Sequence, residues 1–347
     1  MSVNMPPRLA EQIAGALPTR RTGGASRVAM LITSAGRRVE LLLSFRASAA
    51  ALGIDLEIFA CDLRPEWSPA CHEADRAFAV PRADDSGYVD AVLEICRENG
   101  VTLVVPTIDP ELHPLALASD RFAAIGTTVS VSGARLVGIA RDKFLTAEFL
   151  ATHGIPAPRT APIAVAASSA SDWKWPLLVK PAHGSSGRGV RIVHNVAELR
   201  EVEIDEPFVA QELLRGREHT VNMFFDRAGQ MRCAVPHERI QIRAGEVEKG
   251  VTRRSPQLER IARDIAAALP EPRGALCFQV MMDDAGDARV FEINARFGGG
   301  YPLAHRAGAT FSTWLLEEAL GRTPSAHDRW LENLIMLRYD AAVFVGP

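Results

Sequence analysis

The stretch Val290-Phe291-Glu292-Ile293-Asn294-Ala295-Arg296-Phe297-Gly298-Gly299-Gly300 decides the reading of this chain. Glu292, Asn294 and Arg296 alternate with apolar residues, so all three fall on one face of a strand that the glycines end. Hard oxygen donors in that array suit Mg²⁺, and a guanidinium beside them suits a phosphoryl group. The same letters would serve a solvated edge strand, and the choice between the two rests on the segments upstream.

A chain of 347 residues has room for two or three domains with their own cores. Its 47% hydrophobic and 23% charged residues are ordinary for a soluble enzyme. The formal charge of −3, without any block of one sign, gives no reason to expect a nucleic-acid or membrane partner. Five scattered cysteines without a C-x-x-C pair read as free thiols in a reducing compartment, and cytoplasm is the expected location. Residues 1–26 lack the apolar core of a secretory signal and read as a flexible extension. Small-molecule substrates are the expected partners, and a homo-oligomer is compatible with the sequence.

The pattern predicts strands over 28–33, 56–61 and 101–105, alternating with helices over 39–52 and 88–99. That alternation implies an open parallel sheet over 27–135, whose ligands bind beyond the carboxyl ends of the strands. Asp142 and Lys143 open a helix that Gly154-Ile155-Pro156 stops. The Ala- and Ser-rich stretch 161–175 reads as a surface connection. From Leu177 the pattern turns β-rich, with a helix over 257–269 and a strand pair over 275–282 and 288–294. The expected class is therefore α/β followed by α+β. Boundaries fall near 136–206 for a smaller unit, 207–325 for a larger one and 326–347 for a C-terminal segment.

Lys180-Pro181-Ala182-His183-Gly184-Ser185-Ser186-Gly187-Arg188-Gly189-Val190 joins two strand-like runs. Gly184, Gly187 and Gly189 free the backbone to wrap phosphate oxygens, Ser185 and Ser186 add hydroxyl donors, and Lys180 adds a charge. The spacing fits neither G-x-x-x-x-G-K-[ST] nor G-x-G-x-x-G, and a plain glycine-rich hairpin has the same composition. In Gln211-Glu212-Leu213-Leu214-Arg215-Gly216-Arg217-Glu218 a strand edge offers backbone groups to an adenine. Leu213 and Leu214 offer apolar contact, and Glu218 offers a carboxylate to ribose hydroxyls.

Taken in order, Asp142-Lys143, Lys180 with its Gly/Ser loop, Gln211 to Glu218, Gln279 and Glu292-x-Asn294-x-Arg296 resemble the ATP-grasp superfamily. The chain is especially similar to stand-alone relatives of the carbamoyl-phosphate synthase large chain. Thr33-Ser34-Ala35-Gly36-Arg37-Arg38-Val39, Asp109-Pro110-Glu111-Leu112 and Phe297-Gly298-Gly299-Gly300-Tyr301-Pro302 look like that subgroup too. The resemblance runs from about Val28 to Gly321. It implies an N-terminal pre-ATP-grasp domain, then a two-lobed ATP-grasp domain, with ATP and Mg²⁺ (or Mn²⁺) as cofactors.

Carried over, the resemblance implies that Lys143 and Lys180 contact the phosphates, beneath a mobile loop from His183 to Val190. Gln211 and Glu212 to Leu214 would line the adenine site, and Glu218 would hold the ribose. Gln279, Glu292 and Asn294 would hold one or two metal ions. Arg296 would stabilise the transferring phosphoryl group, with Lys249 a second candidate for that charge or a solvated loop lysine. The implied reaction is ATP-dependent ligation of a small-molecule carboxylate to an amine through an acyl phosphate. Alternatives are phosphorylation of bicarbonate or carbamate, or a non-catalytic ATP sensor; the single glycine of Ser34 to Arg38 speaks against a nicotinamide dehydrogenase. The substrate carboxylate is expected beyond the first strand, reached by Arg37 or Arg38 and by Arg296, with Asp109 and Glu111 facing an amino group. Arg37 and Arg38 would equally serve to solvate the helix that follows.

Overall fold

The computed structural model describes residues 26–184, 189–203 and 206–346. Its strands are β1 Arg27–Thr33, β2 Asp55–Asp62, β3 Arg76–Ala79, β4 Leu103–Pro106, β5 Thr128–Val129, β6 Thr160–Pro162, β7 Leu177–Pro181, β8 Arg191–Val193, β9 Phe208–Glu212, β10 Arg217–Phe225, β11 Met231–Arg243, β12 Glu246–Thr252, β13 Gly274–Met282, β14 Ala288–Asn294 and β15 Ile335–Leu337. The expected extension lies, apart from its last residue, outside the described residues.

β1 to β5 form the expected parallel sheet, in the order β3-β2-β1-β4-β5. β1 is buried along all but its first residue because helices cover both faces, which explains its near-continuous apolar run. The chain leaves β1 to one side toward β2 and returns to its other side as β4, so the gap between β1 and β4 is a topological switch point. The segments Ser34–Arg38 and Thr107–Asp109 emerge there together.

β6 to β9 make a four-stranded sheet ordered β6-β9-β7-β8. Part of it lies in the stretch read as a surface connection. Thr160–Pro162 pairs with β9 and Ile163–Ser168 is helical, because Ala161, Ile163, Ala166 and Trp173 are buried in this unit's own core. The Ala and Ser content of that stretch hid its apolar spacing.

The remaining strands form a six-stranded antiparallel sheet, β14-β13-β10-β11-β12-β15. Two members depart from the sequence reading. Residues 243–250, expected as a glycine-flanked loop, carry β12, and the C-terminal segment supplies β15, which pairs with β12 through Lys249–Leu337 and Val251–Ile335. Buried side chains of the first sheet and of the six-stranded sheet belong to the same two apolar clusters, whereas the four-stranded unit keeps its own. The switch point and the large sheet are thus one base, with the smaller unit set over it.

Candidate functional site

β14 owes its position to β13, across which Gln279 faces Glu292 and Cys277 faces Asn294. Directly paired residues of antiparallel strands share a face, so the three oxygen-donor side chains meet on one surface. The ladder slips by one residue beside them, leaving Phe291 unpaired opposite the Gln279/Val280 step. Such a bulge turns the strand and re-aims its side chains. The Phe291 ring here lies 5.7 Å from Lys180 Nζ, on the smaller sheet.

Lys180, one residue before the end of β7, is buried, with Nζ donating to Gln211 Oε1 at 2.9 Å. Gln211 Nε2 in turn donates to Thr160 Oγ1 at 2.8 Å. Burial lowers the Lys180 ammonium to about 8, with Glu292 pulling it up and Lys143 pushing it down. Lys143 opens the helix Lys143–Thr152, which Asp142 caps through Phe144 N (2.8 Å) and Leu145 N (3.1 Å). Burial lowers Lys143 as well, and Glu292 is again the strongest opposing influence. Two ammonium groups from different elements therefore face one carboxylate. Among the described residues Glu292 itself accepts no hydrogen bond and forms no ion pair.

The glycine-rich loop is described only in part. Lys143 Nζ donates to the carbonyls of Ala182, at 3.4 Å, and of Gly184. Gly189 takes φ +71 beside Pro181, while the expected phosphate ligands Ser185, Ser186 and Gly187 lie outside the described residues.

At the nucleoside end, Leu213 and Leu214 are half-buried and lie outside any strand. Gly216 follows with φ +135, and a Cβ there would stand 2.1 Å from the Met282 carbonyl oxygen, so only glycine lets the two chains pass. The Glu212 carboxylate is taken up by Arg159 N at 3.1 Å and Arg289 at 3.0 Å, which leaves its backbone and not its side chain to line a base. Glu218, opening β10, is ion-paired to Arg239 and its carboxyl is raised, burial outweighing Arg239. Arg239 was not foreseen: one of many arginines in the sequence, it gains its role only when β11 lies beside β10.

β14 ends at Asn294, so Arg296, expected on the same strand face as Glu292 and Asn294, lies instead in the bend beyond the strand, where it is tied to the switch point. Its Nε and Nη2 donate to Asp109 Oδ1 and Oδ2 at 3.0 and 2.8 Å, and Nη2 also reaches Asn294 Oδ1 at 3.2 Å. The guanidinium stays charged although buried, because Asp109 overcomes the cost of desolvation. Asp109 therefore pairs with Arg296 rather than standing open to an amine. Glu111 revises the expectation further. It is fully buried, accepting from Thr107 N (2.6 Å), Ile108 N (3.0 Å), Ser34 Oγ (2.7 Å) and the Tyr88 hydroxyl. A carboxylate that caps its own helix in the interior is out of reach of a substrate ammonium.

Arg38 turns into the site, 3.2 Å from Glu246 Oε1, while Arg37 is exposed. Glu246 Oε2 meets Arg338 at 3.1 Å, and Arg338 also donates to the Gly299 carbonyl at 2.7 Å. The sequence does not signal Glu246 or Arg338, one lying in a segment expected as a loop and the other in the C-terminal segment. Lys249 is exposed on β12 without a hydrogen bond or ion pair among the described residues.

Fit to a metal rests on the donor set. Among the described residues no three His, Cys, Asp or Glu side chains cluster as ligands. One carboxylate with two carboxamides is too little for a transition-metal cage but suits a hard cation completed by phosphate oxygens and water. The Glu292 carboxylate, without a partner among the described residues, fits that role. All five cysteines are buried free thiols, and no helix among the described residues is long and apolar enough to cross a membrane.

Residues 30–130 match the family model of the PylC-like N-terminal domain, and residues 140–300 that of the ATP-grasp domain. The chain belongs to the ATP-grasp superfamily. A 90-residue stretch is 36% identical to the carbamoyl phosphate synthase large chain of Campylobacter jejuni, over 25% of this chain and 8% of that one. Phosphoribosylamine–glycine ligase of Xanthomonas axonopodis pv. citri is 26% identical over 278 residues, 70% of this chain and 64% of that one. Across the curated relatives the matched share of their own length runs from 8% to 64%. In fold, the biotin carboxylase domain of Hydrogenobacter thermophilus 2-oxoglutarate carboxylase, solved with MgADP and bicarbonate, superposes with a TM-score of 0.71. That match has 15% identity and covers 88% of this chain and 73% of that one.

Proposed function

We propose that the protein is an ATP- and Mg²⁺-dependent ligase. It activates a small-molecule carboxylate as an acyl phosphate for attack by an amine or other nucleophile. The observation that carries this reading is Glu292: half-buried, without a protein partner among the described residues, opposite Gln279, and faced by the buried Lys180 and half-buried Lys143 ammonium groups. A site built only to hold adenosine has no use for that arrangement.

In this reading Leu213, Leu214 and Glu218 hold the nucleoside, and Lys143 and Lys180 take the phosphates. Glu292, Asn294 and Gln279 would hold Mg²⁺, which supplies neutralisation of the phosphate charge. A carboxylate oxygen of the acceptor attacks the γ-phosphorus, the bond to the β,γ-bridging oxygen breaks, and ADP leaves. The nucleophile then adds at the acyl carbon, loses a proton, and expels inorganic phosphate. Arg296, fixed by Asp109, meets charge developing on the transferring group without reorganising. The smaller unit, with its separate core, covers the labile intermediate and excludes water.

ADP release from Mg²⁺-ATP, measured against a panel of carboxylates and bicarbonate with and without amines, tests the proposal. Carboxylate-dependent ADP release that an amine accelerates is expected. Tight ATP binding with no ADP release from any member would leave a nucleotide sensor instead.

A further inference from the structure

Beyond the phosphate end, three guanidinium groups and two carboxylates meet where the first sheet, β14 and the C-terminal segment converge. Arg296 and Asp109 satisfy each other. Glu246 is left between Arg38 and Arg338, one oxygen to each, at 3.2 and 3.1 Å. Burial works to raise its carboxyl, and Arg38 and Arg338 overcome that and hold it below its ordinary value. Burial also depresses Arg38, and the nearby Arg296 and Arg338 add to the effect. Arg38 and Arg338 thus make a half-buried fork shaped for one carboxylate.

Glu246 sits where it is free to leave. It opens β12 just after a tight turn in which Ala244 has φ +50 and Gly245 φ +79. The β11–β12 ladder behind it is irregular at Arg239/Gln241 and again at Gln241/Ile242. Its carboxylate crowds the backbone of Gly299, where a Cβ would stand 2.0 Å from Oε2. A side chain on a loosely laddered turn, filling a two-arginine fork, has the geometry of a stand-in for a ligand.

We propose that Arg38 and Arg338 are a clamp for a second, non-reacting carboxylate of the acceptor, which Glu246 fills in the free protein and vacates on binding. The acceptor is then a dicarboxylic acid, an inference that rests on the ligase reading above. The reacting carboxylate belongs at the Glu292 end of Arg296, and Arg338 anchors the clamp at the Gly299 carbonyl, past Arg296 along the chain. What the clamp holds is therefore the far end of the same molecule. Exchange of one carboxylate for another leaves the buried charge balance unchanged, so Glu246 competes with the ligand and does not contribute to holding it.

The test is calorimetric titration of the full chain, with Mg²⁺ and a non-hydrolysable ATP analogue. Succinate, glutarate and adipate are the probes, and butyrate is the single-acid control. At least one diacid is expected to bind wild type. Glu246→Gln should bind it about tenfold more tightly and Arg338→Gln about tenfold more weakly, the scale of one charge-assisted contact. Butyrate should be indifferent to both changes. Glu246→Asp, which withdraws the carboxylate without changing charge, should also tighten binding and serves if the Gln variant does not fold. Weaker diacid binding in Glu246→Gln makes Glu246 a contact or brace and overturns the inference, as does failure of every diacid to bind any variant. Analogue binding and ADP release with single acids are read separately. Their loss defeats the ligase reading, whereas turnover of single acids with no response to the clamp variants defeats only the diacid.

Discussion

Arg296 and Asp109 form a two-point ion pair that joins the bend after β14 to the first residue of a helix in the N-terminal unit, 187 positions away in sequence. The pair fixes the guanidinium plane relative to Asn294 and couples the switch point of the parallel sheet to the antiparallel sheet.

Removing one partner of a buried pair strands the other charge, so Asp109→Ala should cost about 3 kcal/mol. That is the low end of the usual range, because Asp109 keeps 25% of its side-chain surface in water. Urea unfolding should show a lower midpoint with an unchanged slope. Turnover should fall more than ATP affinity, since the nucleoside contacts are untouched. A midpoint within error of wild type would mean that solvent or another carboxylate replaces Asp109.

Glu292→Gln should leave the fold intact and lower kcat by roughly a hundredfold or more, the scale of losing a group that stabilises developing charge. ATP affinity should fall much less, because Lys143, Lys180 and the adenine contacts remain. Near wild-type turnover at saturating Mg²⁺ would remove Glu292 from the metal site.

The parts of the site legible in the sequence were those whose chemistry lies along one strand or beside one turn. Glu292-x-Asn294 reads directly from the period of two, which stops short of Arg296 in the bend after the strand, and Asp142-Lys143 reads from the cap it forms. Partners brought in by the tertiary fold were not legible. Arg239 reaches Glu218 from the neighbouring strand, Arg338 comes from just past the C-terminal strand, and Glu246 lies in a strand that its glycines disguised as a loop. Glu111 was misjudged for a related reason. A carboxylate next to a strand end looks like a ligand until Tyr88 and Ser34 are seen folding onto it.

Glu111→Ala would leave two backbone N–H groups at the start of the helix Asp109–Leu117 without their acceptor, and would take from the Ser34 and Tyr88 hydroxyls the carboxylate they both donate to. The expected loss is about 4 kcal/mol, from several unpaired buried groups. Glu111→Gln should cost far less, since its amide oxygen keeps both backbone bonds and the hydroxyls can turn to accept. Ser34, held at φ +48 by this network, leads into the segment that carries Arg38, so the Gln variant should raise acceptor KM before it alters ATP binding. Equal unfolding midpoints for the Ala and Gln variants would refute the capping role.

Lys180 gives the pH dependence a sign. Its value of about 8 in the folded protein lies below the roughly 10.4 of a free lysine. Between these two values the unfolded chain holds a proton that the folded protein has released, so stability rises with pH across that window. Below about 8 both states are protonated and the full burial penalty is present. ATP phosphates beside the ammonium should return the proton, so nucleotide binding near pH 9 should take up protons and weaken as pH rises. Titrations in two buffers of different ionisation enthalpy read that uptake. Lys180→Met should lose both the uptake and the rise in stability, and an unchanged uptake in this variant would assign it to another group.

The glycines at 299 and 300 separate space from conformation. Gly300 has an ordinary helical φ of −84, so its lack of a side chain answers to crowding, not to backbone strain. A Cβ at Gly300 would stand 2.5 Å from His237 Nε2 and 2.6 Å from its Cε1. That ring is fully buried in the sheet, and burial has pushed it down to about 3, so it neither moves aside nor gains charge to find a new partner. The three atoms nearest a Cβ at Gly299 are all at the end of the Glu246 side chain, which can rotate away. Gly300→Ala should therefore cost about 2 kcal/mol, as overpacked cores do, and Gly299→Ala distinctly less. Denaturant unfolding of the two variants at equal slope reads the difference. Equal losses would show Glu246 to be as rigidly held as His237, and would count against its leaving the arginine fork.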